Sequence, residues 1–307
     1  MIACVAVDWG TSSFRLWALS AAGEVLAERR SAEGMGRLAP EDFAPVLEAH
    51  LAALSVLREV PVLICGMAGA AAGWRNVPYL PAPCLLTSIA GGAVQVGQGG
   101  RDIRILPGVA QHDVRRPDVM RGEETLLLGL LQGDHPPAAR LCCLPGTHSK
   151  WARIEHGCLT GFSTYMTGEL FARLTEGGTL AGFMQAGIFV PEAFEAGLRA
   201  ALEEPAALTR ALFGLRAGAL LAPDRAPEAA SRLSGLLIGQ EIAGLGTTPK
   251  APVALVASGL MAERYQRAFA IAGLPYRLCD ADPLARAGLL AAARAIWPAL
   301  SRPRMAV

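Results

Sequence analysis

Two short loops of the chain combine glycine with hydroxyl side chains directly after an apolar, strand-like run. The first is DWGTSS, from Asp8 to Ser13, with Arg15 two residues further on; the second is LPGTHSKW, from Leu144 to Trp151. Backbone N–H groups in such turns can hold phosphate oxygens, and a neighbouring carboxylate can hold Mg²⁺ through its water shell. Either loop alone is also compatible with an ordinary turn, but the pair predicts a site for a phosphorylated ligand.

An acidic segment, MRGEET, precedes the second loop and leads into the apolar run from Leu126. A carboxylate here can act as a general base toward a bound ligand. The alternative is that the acids only complement the positive end of a helix. The choice of base among Glu123, Glu124 and Asp118 stays open, with Glu123 favoured.

Short runs of strand-forming residues must position the first loop. Ile2–Asp8, Phe14–Leu19 and Val25–Arg30 are separated by turn sequences and predict an antiparallel meander. Apolar residues at helical spacing predict a helix over Pro40–Leu57, and Pro61–Cys65 is typical of a buried strand. The first loop is therefore expected at the first hairpin of a sheet.

The same pattern returns in the second half of the chain. Leu141–Leu144, Trp151–Ile154 and Thr160–Ser163 predict a second meander, followed by a strand over Val253–Ala257 and a helix over Leu260–Ala272. Two such units in one chain indicate a duplicated α/β architecture. Between them, Thr167 to Gly246 is predicted mostly helical, and its apolar helices could form a dimer surface or internal core.

Composition excludes several classes of protein. A formal net charge of +1 over 307 residues offers no electrostatic basis for binding nucleic acid, and every long apolar run is broken before it could span a membrane. The amino terminus lacks the pattern of a signal peptide, which predicts a cytoplasmic protein.

The chain has no GxxxxGK[ST] motif, and the glycine-rich segment 91–100 lacks Rossmann spacing, so it is interpreted as a connecting loop.

The two loops, together with the segment ASGLM at Ala257–Met261, resemble the two phosphate motifs and the adenosine motif of the actin, hexokinase and Hsp70 superfamily. This resemblance implies a two-lobed, actin-like (ribonuclease H-like) ATPase fold with a duplicated mixed sheet and a nucleotide cleft between the lobes. The lobes are expected at 1–130 and 131–307, with a helical insertion at about 167–246. ATP and Mg²⁺ are the implied cofactors.

Further segments narrow the resemblance. CGMAG at Cys65–Gly69, MRGEET, LPGTHSKW and FSTYMTGEL at Phe162–Leu170 together resemble the 2-dehydro-3-deoxygalactonokinase family. That resemblance implies transfer of the ATP γ-phosphoryl group to the 6-hydroxyl of 2-dehydro-3-deoxy-D-galactonate in galactonate catabolism. Alternatives are a kinase of another keto-deoxy sugar acid or of a neutral sugar, and a non-catalytic sugar-acid sensor, which would be expected to carry an added helix-turn-helix segment.

The motifs assign candidate residues to each role. The catalytic candidates are Glu123, Asp8 and Arg15, with Asp8 also the metal ligand. The nucleotide-binding candidates are Gly10, Thr11, Ser12, Ser13, Gly146, Thr147, His148, Ser149, Lys150 and Gly259. The substrate-binding candidates are Gly66, Met67, Trp74, Tyr79, Arg121, Glu124 and Tyr165.

Several of these residues have a structural alternative. A 2-keto acid needs a cation or amide cluster, and Arg15, Arg75, Arg121 and Lys150 remain the candidates. Aromatic residues Trp74 and Tyr79 could contact the substrate or close the core, and His148 could donate to phosphate or form a structural hydrogen bond. Thr167 is expected to cap the helix that follows it.

Overall fold

The computed structural model describes residues 1–97, 100–133, 139–184, 189–247 and 249–301. The chain forms two compact units. Unit 1 contains 1–139, 153–162 and 280–307, and unit 2 contains 140–152 and 163–279. The predicted lobes follow chain order, whereas the described residues 153–162 and 280–301 pack with unit 1. The lobe boundary stays a prediction.

The strands are β1 (Cys4–Trp9), β2 (Phe14–Leu19), β3 (Val25–Ser31), β4 (Val62–Gly66), β5 (Leu80–Pro81), β6 (Cys84–Leu85), β7 (Val94–Val96), β8 (Ile103–Ile105), β9 (Val109–Gln111), β10 (Asp118–Met120), β11 (Ala139–Leu144), β12 (Ser149–Glu155), β13 (Cys158–Tyr165), β14 (Val253–Val256) and β15 (Tyr276–Cys279). The α-helices are α1 (Phe43–Ala53), α2 (Glu123–Leu130), α3 (Thr167–Glu176), α4 (Gly178–Ala181), α5 (Pro191–Glu203), α6 (Leu208–Leu221), α7 (Ala229–Ala243), α8 (Gly259–Ile271) and α9 (Ala281–Ile296).

The main sheet of unit 1 has the strand order β3-β2-β1-β4-β8-β7. The predicted meander is confirmed, with β1 antiparallel to β2 and β2 antiparallel to β3, and β4 joins β1 in parallel. The register pairs Asp8 with Arg15 on β2 and with Cys65 on β4. Pairing of the backbone therefore places an acid, a base and a thiol side by side at one end of the sheet.

The core of unit 1 lies between this sheet and α1. Alternate residues of β1 and β2 are buried against Phe43 and Leu47 of the helix, and Trp9 packs edge-on against Phe14 with ring centroids 4.7 Å apart. On α2 and α9, glycines allow a close helix crossing: a Cβ on Gly288 would lie 2.0 Å from the carbonyl oxygen of Thr125. Apolar burial of this kind is the main source of the unit's stability.

A second, three-stranded sheet of unit 1, with the order β10-β9-β5, has no counterpart in the sequence prediction. Its strands are only two or three residues long, too short to show a periodic pattern. The segment 91–100, expected to be a loop, contains β7, which pairs with β8; residues 98–99 lie outside the described residues. The end of β10 leads directly into the acidic segment at α2.

Unit 2 repeats the topology of unit 1. Its strands have the order β15-β14-β11-β12-β13, where β14 is parallel to both β11 and β15. The turn between β12 and β13 belongs to unit 1, where Cys158 pairs with Leu85 of β6. A meander extended by parallel strands thus occurs twice, as the sequence predicted.

Helices α5 and α7 form the centre of the predicted helical block. A Cβ on Gly235 would lie 2.0 Å from the carbonyl oxygen of Phe194, so glycine is required for the two helices to approach this closely. Helix α6 leaves Phe213 and Leu221 exposed; the predicted dimer surface stays a prediction. Among the described residues, no helix combines the length and apolarity needed to cross a membrane.

Candidate active site

A cavity of about 180 Å³ lies in unit 1 at the carboxyl ends of β1 and β4. It is lined by Asp8, Cys65, Gly66, Arg121, Gly122, Glu123, Leu126 and Ala285. The structure therefore brings together Asp8, Gly66, Arg121 and Glu123, which the sequence analysis had taken from three separate motifs.

Two glycines with left-handed backbone form one wall of this cavity. Gly66 has φ of 90° and Gly122 has φ of 108°. A Cβ on Gly66 would lie 2.6 Å from the carbonyl oxygen of Trp9, and a Cβ on Gly122 would lie 3.3 Å from the Cα of Gly66. A side chain at either position would therefore be strained and would displace the backbone packed against it.

Asp8 sits at the end of β1 with its carboxylate facing the Arg15 guanidinium, where Oδ2 and Nη1 are 3.6 Å apart. Burial raises the pKa of Asp8; Arg15 opposes that rise, whereas Asp282 and Glu123 add to it. Arg15 also bonds Asp282 at 2.9 Å. The Arg15 guanidinium is therefore flanked by the carboxylates of Asp8 and Asp282 at this end of unit 1.

The three acids considered as the base occupy different environments. Glu123 begins α2, is half-buried, lines the cavity, and accepts a hydrogen bond from the Arg121 backbone N–H at 3.0 Å. Glu124 is 1% exposed and accepts from the Gly122 N–H and the Thr125 hydroxyl, and burial raises its pKa to about 8. Asp118 accepts from the N–H of Val119 on β10. Glu123 therefore lines the cavity, whereas the Glu124 carboxylate is buried and hydrogen-bonded within unit 1; the choice of base stays a prediction.

The first glycine loop is held from behind by the segment that follows β3. The N–H groups of Met35 and Gly36 donate to the carbonyl oxygens of Gly10 and Thr11 at 3.0 and 2.9 Å, and the Gly10 N–H donates to Ser13 O at 2.9 Å. These bonds draw the loop carbonyls inward and leave Thr11 and Ser12 exposed. The loop thus presents hydroxyl side chains to solvent, as a phosphate site requires.

The remaining unit 1 candidates take structural positions. Trp74 packs against the core, with its ring centroid 6.2 Å from that of Phe43 in a stacked arrangement. Met67 begins a 3-10 turn, Met67–Gly69, and is half-buried. Tyr79 lies under the guanidinium of Arg121, 4.3 Å from its ring centroid. Trp74 therefore belongs to the core, whereas Tyr79 supports a cavity residue.

The second glycine loop, in unit 2, divides into exposed and buried halves. Thr147 and His148 are exposed, and His148 Nε2 lies 2.6 Å from the carboxylate of Glu169. Ser149 and Lys150 are buried, and the Ser149 hydroxyl donates to Glu241 at 2.7 Å. Side chains two residues apart on a strand share one face, so Ser149 and Trp151 of β12 both point to Glu241 in the interior.

A second cavity, of about 290 Å³, opens beside this loop within unit 2. Its lining consists of Gly146 and Thr147 of the loop, Thr167, Gly168 and Phe171 of α3, Ser234, Leu237 and Ile238 of α7, and Met261, Arg264 and Tyr265 of α8. A mostly apolar pocket with a few polar groups and a glycine turn at one side suits a flat heterocycle attached to phosphates.

Two unit 2 candidates, Gly259 and Tyr165, do not line this cavity. Gly259 has φ of 57° and begins α8, and a Cβ there would meet no atom within 4 Å. Its left-handed backbone explains the glycine, and Met261, two residues further on, reaches the cavity. Tyr165 packs against Gly244, where a Cβ would lie 2.4 Å from the tyrosine oxygen.

Glu241 is a buried acid, bonded to two residues that line the second cavity, that the sequence analysis missed. Its carboxylate is 1% exposed and accepts from Ser149, Trp151 and Thr167 at 2.7, 2.7 and 2.6 Å, and from Tyr265 at 2.8 Å. Burial raises its pKa, and these hydrogen bonds oppose the rise. The available signal was an isolated acid within the apolar run of α7.

The hydrogen bonds to Glu241 also correct one prediction, on the cap of α3. Thr167 was expected to cap α3, but it is the first residue of the helix, and Met166 takes the cap position without a side-chain hydrogen bond. The Thr167 hydroxyl instead donates to Glu241. Thr167 therefore ties the start of α3, which lines the cavity, to the interior of unit 2.

Comparison with known proteins assigns the chain to a family. A profile described as 2-keto-3-deoxy-galactonokinase matches residues 8–292. A Rhizobium meliloti (strain 1021) protein named "Probable 2-dehydro-3-deoxygalactonokinase DgoK1" is 50% identical over 302 residues, covering 95% of this chain and 97% of that protein. The Escherichia coli (strain K12) 2-dehydro-3-deoxygalactonokinase is 33% identical over 294 residues, covering 95% and 98%.

Solved structures support the same family assignment. A Sinorhizobium meliloti protein assigned as a 2-dehydro-3-deoxygalactonokinase superposes with a TM-score of 0.92 at 49% identity, covering 96% of this chain and 97% of that one. Component A of the Acidaminococcus fermentans (R)-2-hydroxyglutaryl-CoA dehydratase, at 15% identity and a TM-score of 0.50 over 98% and 100% of the two chains, shares the fold alone. The predicted actin-like ATPase fold class is confirmed, and the chain belongs to the 2-keto-3-deoxy-galactonokinase family.

Proposed function

We propose that this protein transfers the γ-phosphoryl group of ATP to the 6-hydroxyl of 2-dehydro-3-deoxy-D-galactonate. The observation that carries the proposal is the unit 1 cavity, where Asp8 and Glu123 lie together with the buried cation Arg121. A cavity with acids for proton transfer and metal binding suits the phosphorylation of a sugar hydroxyl. The named relatives support the same substrate.

Glu123 is the proposed general base. Its position at the first residue of α2 and the hydrogen bond from the Arg121 N–H fix the carboxylate at the cavity wall. A carboxylate so held can accept the proton of the attacking hydroxyl as the new bond to phosphorus forms.

Asp8 is the proposed ligand of Mg²⁺, directly or through water. Within the described ranges, no group of three or more His, Cys, Asp or Glu side chains could hold a metal ion. Mg²⁺ in kinases is commonly held by one or two carboxylates together with phosphates and waters, so a single hard oxygen donor at the end of β1 fits this mode. Arg15 holds the Asp8 side chain in place.

The unit 2 cavity is the proposed adenosine site. Phe171, Leu237 and Ile238 offer apolar contact to a base, and the hydroxyls of Thr167 and Ser234 offer hydrogen bonds. In unit 2, we assign the exposed residues Thr147 and His148 to phosphate oxygens. In unit 1, the exposed hydroxyls of Thr11 and Ser12 stay predicted phosphate contacts. ATP bound with magnesium supplies the phosphoryl group and neutralises the charge that develops on it.

The test is ADP release from ATP and Mg²⁺ with a panel of 2-keto-3-deoxy sugar acids and neutral sugars, followed by NMR of the product. Turnover with 2-dehydro-3-deoxy-D-galactonate and phosphate on its 6-oxygen supports the proposal. Reaction of another panel member alone would change the substrate and keep the chemistry. Binding without turnover of any member would favour a sensor.

A further inference from the structure

Ser234 is a buried serine on the wall of the unit 2 cavity. It lies in α7, is 6% exposed, and lines the cavity with Leu237 and Ile238, about one turn further along the same helix face. Serine is not a favoured residue in a helix interior, because its hydroxyl competes with the backbone for hydrogen bonds. A buried hydroxyl at this position therefore needs a partner.

The Ser234 hydroxyl has no hydrogen-bond partner among the described residues. In the same helix, Oε1 of Gln240 has no partner there either, but that atom is closed off from solvent. The Ser234 oxygen is not one of these enclosed atoms, so it stays open to the cavity that the residue lines. A polar group that is buried, unpartnered and open to a cavity is typical of a ligand contact.

Ser231, about one turn earlier in α7, shows the contrasting arrangement. It is 3% exposed, does not line the cavity, and its hydroxyl accepts a hydrogen bond from the Val190 N–H at 2.9 Å. Ser231 therefore serves the fold, because it ties the residue before α5 to α7. Two serines of one helix thus differ, one bonded within the protein and one open to the cavity.

The second glycine loop is attached to α7 at Glu241, two turns after Ser234. Glu241 accepts hydrogen bonds from Ser149 of the loop and from Thr167 at the start of α3. The backbone of α3 also meets the loop, since a Cβ on Gly168 would lie 2.4 Å from the loop backbone. Seven residues of helix separate Ser234 from Glu241, or about 10 Å along the axis. Ser234 therefore lies on the part of the cavity wall farther from this attachment of the loop.

Apolar side chains line the cavity between its two ends. Leu237 and Ile238 lie between Ser234 and Glu241 on α7, and Phe171 of α3 belongs to the same lining. A nucleotide with its phosphates at the glycine loop would place its base against this apolar lining. The polar edge of the base then comes to the part of the wall that carries the free hydroxyl.

We propose that the Ser234 hydroxyl accepts a hydrogen bond from the 6-amino group of the adenine base. The inference rests on the proposed adenosine site in unit 2 and adds the residue that recognises the base. A hydroxyl oxygen can accept such a bond while its own hydrogen turns to a second acceptor, so Ser234 suits an amino group. The bound base would supply the partner that Ser234 lacks within the described residues.

The experiment measures the binding of two nucleotides by calorimetric titration. One is ADP, and the other is purine riboside diphosphate, which has hydrogen in place of the 6-amino group. In the wild type, loss of the amino group is expected to weaken binding roughly 2- to 10-fold, the range for a net hydrogen bond. In Ser234→Ala, ADP is expected to lose a similar factor and the purine compound little, so the two changes are not additive.

Thermal melting of two variants separates recognition from folding. Ser234→Ala removes no hydrogen bond within the described part of the chain, and alanine favours a helix more than serine does, so its melting temperature should equal or exceed that of the wild type. Ser231→Ala is the matched control. It removes the partner of the Val190 N–H, so it should melt at a lower temperature and keep the wild-type preference for ADP.

The outcomes separate this inference from the proposed function. A wild type that binds neither nucleotide overturns the proposed adenosine site, and the role of Ser234 with it. A wild type that prefers ADP, with the same preference in Ser234→Ala, overturns the role of Ser234 alone. Equal losses for the two nucleotides in Ser234→Ala, or no preference in the wild type, overturn the contact with the amino group. Nucleotide binding as expected without turnover of any sugar acid would overturn the proposed reaction and leave the role of Ser234 standing.

Discussion

Arg15 and Asp282 form an ion pair of 2.9 Å that joins strand β2 to the first turn of α9. The same Arg15 nitrogen lies 3.6 Å from Asp8, and Asp282 also contacts Arg30. Asp282 therefore holds Arg15 partly away from the carboxylate proposed to bind Mg²⁺. A contact between the second strand and the last helix thus sets the charge balance at the cavity.

Asp282→Asn is expected to weaken the binding of Mg²⁺. Without its acidic partner, Arg15 can close on Asp8, and one negative charge near the metal is also lost. We expect the Mg²⁺ concentration for half-maximal activity to rise about 10-fold, equivalent to about 1.4 kcal/mol. Magnesium titration of the steady-state rate measures this. Arg30→Gln removes the exposed partner of Asp282 and should leave the Mg²⁺ requirement close to wild type; an unchanged requirement in Asp282→Asn would contradict the argument.

Neighbouring acids Glu123 and Glu124 provide a matched test of the base. Glu123→Gln is expected to lower kcat roughly 100- to 10,000-fold, the usual contribution of general base catalysis, with ATP binding retained. Glu124→Gln should change kcat far less, because Glu124 bonds Gly122 and Thr125 inside unit 1. Single-turnover kinetics with both variants decides between them. A larger loss of kcat in Glu124→Gln would transfer the catalytic role to that residue.

Stability should depend on pH through Glu124. Burial raises its pKa to about 8 in the folded protein, from an ordinary value of 4.5. Between these values the folded state binds a proton that the unfolded state lacks, so the free energy of unfolding falls as pH rises, by up to about 1.4 kcal/mol per pH unit. Below pH 4.5 this contribution is fully present.

Urea unfolding of the wild type and of Glu124→Gln from pH 5 to pH 8 measures the effect. The difference in unfolding free energy between the two proteins is expected to change in favour of the variant as pH rises, because Gln does not titrate. Glu155→Gln, at an exposed position of β12, is the control and should run parallel to the wild type. Parallel curves for Glu124→Gln would show that this carboxyl does not titrate in the range.

The sequence predicted the local elements better than their long-range partners. Strands β1 to β3 and β11 to β13 carry β-forming runs between turn residues, so both meanders were predictable. The packing of α9 against α2 depends on glycines such as Gly129 and Gly288, which look unremarkable in a helix until a neighbour approaches. Chain order therefore placed residues 280–301 in the predicted second lobe, whereas contacts group them with unit 1; the lobe boundary stays a prediction.

At the candidate site, too, the sequence predicted local segments better than their long-range contacts. Motif resemblance found the segments containing Asp8, Gly66 and Glu123, but it could not give the direction of each side chain. Ser149 lies within a recognised motif and still points into the interior of unit 2. Its partner Glu241 is 92 positions away, and no local pattern links the two.

Gly34 supports the first glycine loop from behind, which predicts an effect on nucleotide binding. A Cβ on Gly34 would lie 2.4 Å from Thr11 O and 2.5 Å from the backbone of Ser12. Gly34→Ala must therefore displace the loop, and we expect a loss of about 1–3 kcal/mol in stability and a several-fold rise in the KM for ATP. Thermal melting and ATP saturation curves measure both.

The control for Gly34 is Gly91→Ala, because a Cβ at Gly91 meets no atom within 4 Å. Stability in this variant should stay within about 0.5 kcal/mol of the wild type, with the KM for ATP unchanged. If Gly34→Ala behaved like Gly91→Ala, the loop would not depend on this contact.

Substitution of Glu241 is expected to lower both the stability of unit 2 and its affinity for nucleotide. In Glu241→Gln, one carboxylate oxygen becomes an NH₂ group, so donors that met two acceptor oxygens now compete for one. We expect a loss of about 1–3 kcal/mol in unfolding free energy. Because Thr167 donates to Glu241 and also lines the unit 2 cavity, the affinity for a non-hydrolysable ATP analogue should fall as well.

Urea unfolding and calorimetric titration of the analogue measure the two effects, with Glu195→Gln as the control. Glu195 pairs with Arg267 at 2.8 Å on the surface of unit 2, and such pairs contribute about 0–1 kcal/mol. The control should therefore bind the analogue normally. If Glu241→Gln lowers stability but binds the analogue normally, Glu241 contributes to the fold alone. If both stability and binding fall, Glu241 also supports the nucleotide site, because the loss of its bond to Thr167 moves the start of α3.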